Sequence, residues 1–98
     1  MTAYLIIEAS VTDEDKWTRY REAVVPLIQK FNGRHLSRSG AAQVLEGSNP
    51  GRIAMFEFQS VEAIHDFWNS PEYAAVKALR RDAATVSAWA IPTDVVSD

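Results

Sequence analysis

His35 and His65 are the side chains whose chemistry best suits proton transfer near neutral pH. Three arginines, Arg34, Arg38 and Arg80, carry planar guanidinium groups able to hold a carboxylate through two parallel hydrogen bonds. Glu57 lies between Phe56 and Phe58, where a buried carboxylate needs a partner such as Arg38 because an unpaired charge there is expensive. A site with His35, Tyr73 and Arg38 or Arg80 around an apolar cavity would bind a small aromatic or carboxylate metabolite. In that reading His35, Tyr73 and Glu57 are the catalytic candidates, and Arg38, Arg80, Trp68 and His65 the ligand-binding candidates. Each residue also has a plainer explanation. His65, three positions before Trp68, fits an exposed helical position, and Arg80 would pair with Glu72 or Asp82 or stack on Tyr73. Trp17, Phe31, Phe67 and Trp68 fit a hydrophobic core equally well.

Other chemistries find little support. Two histidines far apart in sequence and no cysteine give no metal-ligand spacing, so no metal or other cofactor is expected. The segment Gly47-Ser48-Asn49-Pro50-Gly51 lacks the lysine and the following helix of a phosphate-binding loop and reads as a turn. No spacing argues for a Ser-His-Asp triad.

The elements that must position these residues follow from pattern. Tyr4 to Ala9 is short and rich in strand formers. Thr12, followed by Asp13, Glu14 and Asp15, marks a helix start, with acids at the positive end of the dipole. Trp17, Tyr20, Val24, Leu27, Ile28 and Phe31 then recur at helical spacing, with Pro26 inside the pattern predicting a kink rather than a break. Asn32-Gly33 ends this helix with a left-handed residue. A second strand is expected over Arg34 to Ser39, continued by Ala42 to Glu46 after a bend at Gly40, and a third over Arg52 to Phe58 as its hairpin partner. Ser60 caps a helix running to Asn69, and Ser70-Pro71-Glu72 restarts it, serine at the cap and proline at the first position being a matched start. Val86 to Ile91 is the fourth strand, stopped by Pro92. The order is βαββαβ: an α+β, ferredoxin-like fold, one domain over residues 1–98, with a four-stranded antiparallel sheet and two helices on one face.

Bulk composition agrees. Of 98 residues, 47% are hydrophobic and 23% charged, which are globular values and exclude a disordered chain. A net charge of −3 with scattered basic residues gives no case for nucleic acid. No apolar run approaches the roughly 20 residues a membrane span needs. Met1-Thr2-Ala3-Tyr4 lacks the basic start of a signal peptide, so a cytoplasmic chain without membrane association is expected.

The sheet carries a further implication. Successive strand residues point to opposite faces. Leu5, Ile7 and Ala9 oppose Tyr4, Ile6 and Glu8, while Ala54, Phe56 and Phe58 oppose Ile53, Met55 and Glu57. Two helices cover one face only, leaving Tyr4, Ile6, Ile53, Met55 and Trp89 facing water. Burying each large side chain is worth roughly 1.5–3 kcal/mol, so a homodimer pairing sheet to sheet is the expected solution.

Asn32-Gly33-Arg34-His35-Leu36-Ser37-Arg38-Ser39-Gly40, then Val44-Leu45-Glu46-Gly47, Phe56-Glu57-Phe58, Phe67-Trp68-Asn69-Ser70-Pro71-Glu72-Tyr73 and Leu79-Arg80 together resemble the domain-of-unknown-function family numbered thirteen-thirty. The resemblance covers nearly the whole chain, although Asn32 stands where the family usually has glycine and Gln59 where it often has proline. It implies a dimeric α+β barrel with a pocket between helices and sheet, or between paired sheets. It assigns no activity. Three functions stand open on it: a dimer binding a small hydrophobic or carboxylate metabolite, a cofactor-independent monooxygenase or isomerase, and a haem-binding protein using His65.

Overall fold

A computed structural model of the chain describes residues 2–37, 42–48 and 50–93. Its elements are β1 (Ala3–Val11), α1 (Glu14–Lys30), β2 (Arg34–Ser37), β3 (Arg52–Phe58), α2 (Val61–Trp68), α3 (Pro71–Lys77), a 3-10 turn (Ala78–Arg80) and β4 (Ala84–Pro92). The strands form one antiparallel sheet in the order β2-β3-β1-β4, as the ferredoxin-like arrangement requires.

The helix start falls one residue later than Thr12. Asp13 is the cap, its carboxylate accepting from the Lys16 amide at 3.1 Å. Thr12 is engaged elsewhere: its amide and its hydroxyl both donate to the Ala83 carbonyl, at 2.8 and 3.2 Å. Pro26 lies on the exposed side of α1, and the helix runs through it from Glu14 to Lys30. Trp17, Tyr20, Val24 and Ile28 are its buried stripe. Asn32 takes the left-handed conformation at φ 64°, and Gly33 is required for a different reason. A Cβ there would meet Ile28 Cγ2 at 2.6 Å and Phe58 Cζ at 2.7 Å, so only glycine lets the chain pass between helix and sheet.

Ser60 and Ser70 cap α2 and α3 as expected, each accepting an amide three residues on at 3.0 Å. The second strand is described over Arg34–Ser37, beside a register irregularity, and its expected continuation, Ala42 to Glu46, is exposed and outside any strand. Arg38, Ser39 and Gly40 of the expected strand lie outside the described residues. The outer strand β4 is longer than expected because β1 pairs with it along its whole length, from Val11↔Ala84 to Ala3↔Pro92.

All three helices pack on one face. There Ala3, Leu5, Ile7, Ala9, Phe56 and Phe58 join the α1 stripe, Ile64, Phe67 and Tyr73 in a single core. The opposite face carries a cross-strand row, Met55–Ile6–Trp89, flanked by Glu57–Tyr4–Ile91 and by Ile53–Glu8–Ser87. Trp89 is 49% and Ile91 42% exposed within the single chain, Tyr4, Ile6, Ile53 and Met55 are half-buried, and none of the described helices covers this apolar face.

Candidate functional site

Two hollows open between the helices and the sheet. The larger, about 360 Å³, lies between α2, α3 and the outer strand β4. Its floor is aliphatic (Leu5, Ile64, Val86, Ala88), and Trp68 and Trp89 supply aromatic walls. His65, Lys77 and Arg80 line it, and no carboxylate does. Lys77 sits 5.5 Å from the Trp68 ring centroid, a cation–π arrangement that holds both side chains at the rim. Trp89 projects from the opposite sheet face by register, and it also borders this hollow because β4 is an edge strand.

The smaller hollow, about 50 Å³, lies under α1 against β1 and β3, and it contains His35 on its wall. His35 stacks on Phe56, with ring centroids 4.5 Å apart and planes at 29°.

A hydroxyl pair spans the wall between the two hollows. Tyr20 Oη and Tyr73 Oη are 2.9 Å apart and buried. Arg80 lies with its guanidinium carbon 5.3 Å from the Tyr20 ring centroid. Burial, reinforced by Tyr73, pushes the Tyr20 hydroxyl far above the usual tyrosine range, so it stays protonated. Burial opposes the Arg80 charge, but the Tyr73 and Tyr20 hydroxyls more than offset it and hold the guanidinium above its ordinary value. Arg80 is therefore a fixed positive charge on the wall of the larger hollow.

The sequence candidates separate in space. His65, Trp68 and Arg80 share the larger hollow. His35 belongs to the other one, and Tyr73, with no exposed surface, lines neither, so His35, Tyr73 and Arg80 do not surround one cavity. Glu57 is on the far face of the sheet, where Arg34 donates from Nη2 to Oε1 at 2.7 Å. Arg38 lies outside the described residues. Arg80 lies over the Tyr20 ring and interacts with the Tyr73 and Tyr20 hydroxyls, forms no ion pair with Glu72 or Asp82 among the described residues, and Glu72 pairs with Lys30 at 3.2 Å. Among the described residues no three His, Asp or Glu side chains gather as metal ligands, and no helix is long and apolar enough to cross a membrane.

Tyr20 was legible only as a core residue. The overlooked signal is that tyrosine hydroxyls on two buried helical stripes must each find a partner. Tyr20→Phe is expected to cost about 1–3 kcal/mol, because the buried Tyr73 hydroxyl loses its Tyr20 partner. The double change Tyr20→Phe with Tyr73→Phe should cost less than the two single changes together, since the bond between the two hydroxyls is lost only once. Denaturant unfolding of the three variants measures this.

Comparison with solved structures agrees with the geometry. A protein of unknown function from Rhodopseudomonas palustris superposes with a TM-score of 0.74 at 14% identity, over 97% of this chain and 84% of that one. A protein from a Jannaschia species described as dimeric, ferredoxin-like and of unknown function gives 0.68 at 13% identity, over 95% and 100%. SnoaB, a cofactor-independent oxygenase from Streptomyces nogalater, gives 0.60 at 8% identity, over 97% and 95%. At these identities the likeness establishes the fold. No curated protein matches. A family model, however, matches residues 2–93, and the chain belongs to the domain of unknown function family DUF1330.

Proposed function

We propose that the protein is a homodimer, one domain per 98-residue chain, that binds a small apolar or aromatic carboxylate in the hollow between α2, α3 and β4. The carrying observation is the composition of that hollow: aliphatic floor, two tryptophans, and three basic side chains without an acid. Its volume is in the range of small-molecule sites. Aromatic walls suit the body of such a ligand, and Arg80, already fixed by the tyrosines, offers a charged donor whose ordering cost is met before binding. Pairing through the open sheet faces is supported by the Met55–Ile6–Trp89 row and by the dimeric description of the Jannaschia neighbour.

A thermal-shift series with phenylacetate and phenylacetamide tests the site. A ligand at 100 times its Kd should stabilise the fold by about 2.7 kcal/mol. The acid should bind more tightly than the amide, and Arg80→Lys or Lys77→Met should weaken the acid by about tenfold or more while leaving the amide nearly unchanged. Equal binding of acid and amide would refute the electrostatic half of the proposal, and no shift across a panel of apolar acids would refute the site.

The likeness to SnoaB favours a second reading, oxygenation without a cofactor, in which the same hollow holds an apolar substrate. Oxygen uptake on adding a bound aromatic ligand separates turnover from binding. Haem binding through His65, which is exposed on α2, would show as a Soret shift abolished by His65→Ala.

A further inference from the structure

The hollow between α2, α3 and β4 is open along its strand side. Val86, Ala88, Trp89 and Ala90 form that side. Ala90 pairs with Leu5, which is only 2% exposed, yet Ala90 itself is exposed. Among the described residues β4 has β1 on one flank and no strand on the other. An outer strand of nine residues without one charged side chain is the kind of surface that another chain covers.

Trp89 joins this opening to the apolar sheet face that no helix covers. By register it ends the row Met55–Ile6–Trp89 on that face, and it also borders the hollow. It is 49% exposed and stacks on no other ring among the described residues. Trp68, across the hollow, is held by Tyr73 at 4.8 Å between ring centroids and by Lys77. One aromatic wall is thus ordered before a ligand arrives and the other is not. A side chain ordered only on binding charges its lost freedom to the ligand, and a second copy seated on the open face meets that cost in advance.

We propose that the second copy completes the site: pairing of the open sheet faces fixes Trp89, so that dimerisation and ligand binding in the hollow strengthen one another. The coupling rests on both halves of the function proposed above. Immobilising one side chain is worth roughly two- to tenfold in affinity. The coupling is reciprocal and each dimer holds two hollows, so a gain of about fivefold per hollow tightens the dimer by about 25-fold once both are filled.

The test is calorimetric titration of phenylacetate into the parent protein and into Met55→Lys, with the mass of each sample read by light scattering. Met55 is on β3, separated from β4 by β1, and does not border the hollow. The added lysine charge by itself favours an acid, so a weaker affinity reads the loss of the partner. The monomeric variant should bind roughly two- to tenfold more weakly than the paired parent. In a second measurement, free of any substitution, saturating phenylacetate should lower the dilution midpoint of the parent dimer by the square of that ratio. Equal affinities in single chain and dimer, or a midpoint that the ligand leaves in place, would overturn the coupling while the site and the dimer stand. A parent that binds no phenylacetate, or that runs as a single chain, removes the function proposed above and the coupling with it.

Discussion

Met55→Lys is expected to halve the particle mass, from twice the 10.9 kDa chain to the chain itself, at micromolar concentration. Met55 stands in the row Met55–Ile6–Trp89 on the uncovered face, between Arg34–Glu57 and the aliphatic Ile53. In a two-fold pairing each substitution is present twice, once on each side of the contact. Burial of one methionine is worth roughly 1.5–3 kcal/mol, so losing two weakens association by about 10² to 10⁴-fold before any cost of desolvating lysine is added. The monomer's own core is untouched, because Met55 is on the sheet face away from the helices. Light scattering coupled to size exclusion reads the outcome, and Gln29→Lys on exposed α1 serves as control. A parent protein that runs as a single chain, or a Met55→Lys variant that remains paired, would refute the sheet-to-sheet dimer.

Phe67→Ala should be the most damaging of the core truncations considered. Phe67 has no exposed surface, and its ring lies 4.7 Å from Tyr73 and 5.7 Å from both Phe31 and Phe58, tying α2 to α1, α3 and the sheet. Truncating a buried phenylalanine to alanine typically costs about 3–5 kcal/mol. For a domain of this size that lowers the melting temperature by roughly 12–40 °C, against a total stability of about 5–15 kcal/mol. Calorimetry checks it, and a drop of only a few degrees would show that the surrounding rings close over the space.

The sheet was readable from sequence because its central strands alternate: Leu5, Ile7 and Ala9 inward, Tyr4, Ile6 and Glu8 outward, a pattern that allows one register only. What failed was local. Val44 and Leu45 have strand composition, yet Leu45 is 97% exposed, because composition cannot show whether a neighbouring strand remains available for pairing. Thr12 and Asp13 are both competent caps, and a contact to Ala83, seventy-one residues away, decides between them. The site was partly readable in the same sense. His65, Trp68 and Arg80 share one hollow because α2 and the turn after α3 converge on it. His35 was grouped with Arg80 on residue type alone, and only the strand order places them on opposite flanks of β1.

The position of β1 has a consequence for synthesis. It is first in sequence yet interior to the sheet, and both strands that satisfy its backbone follow it, β3 after some forty residues and β4 last of all. Thr2 and Thr93 meet across a separation of 91 residues, the Thr93 hydroxyl donating to the Thr2 carbonyl at 2.5 Å. While the chain is still leaving the ribosome, Leu5 and Ile7 therefore sit on an open ladder that is sealed only when the final strand arrives. Nascent chains stalled short of Ala84 should accordingly be chaperone clients, and release of the remaining nine-residue strand should end that dependence in one cooperative step.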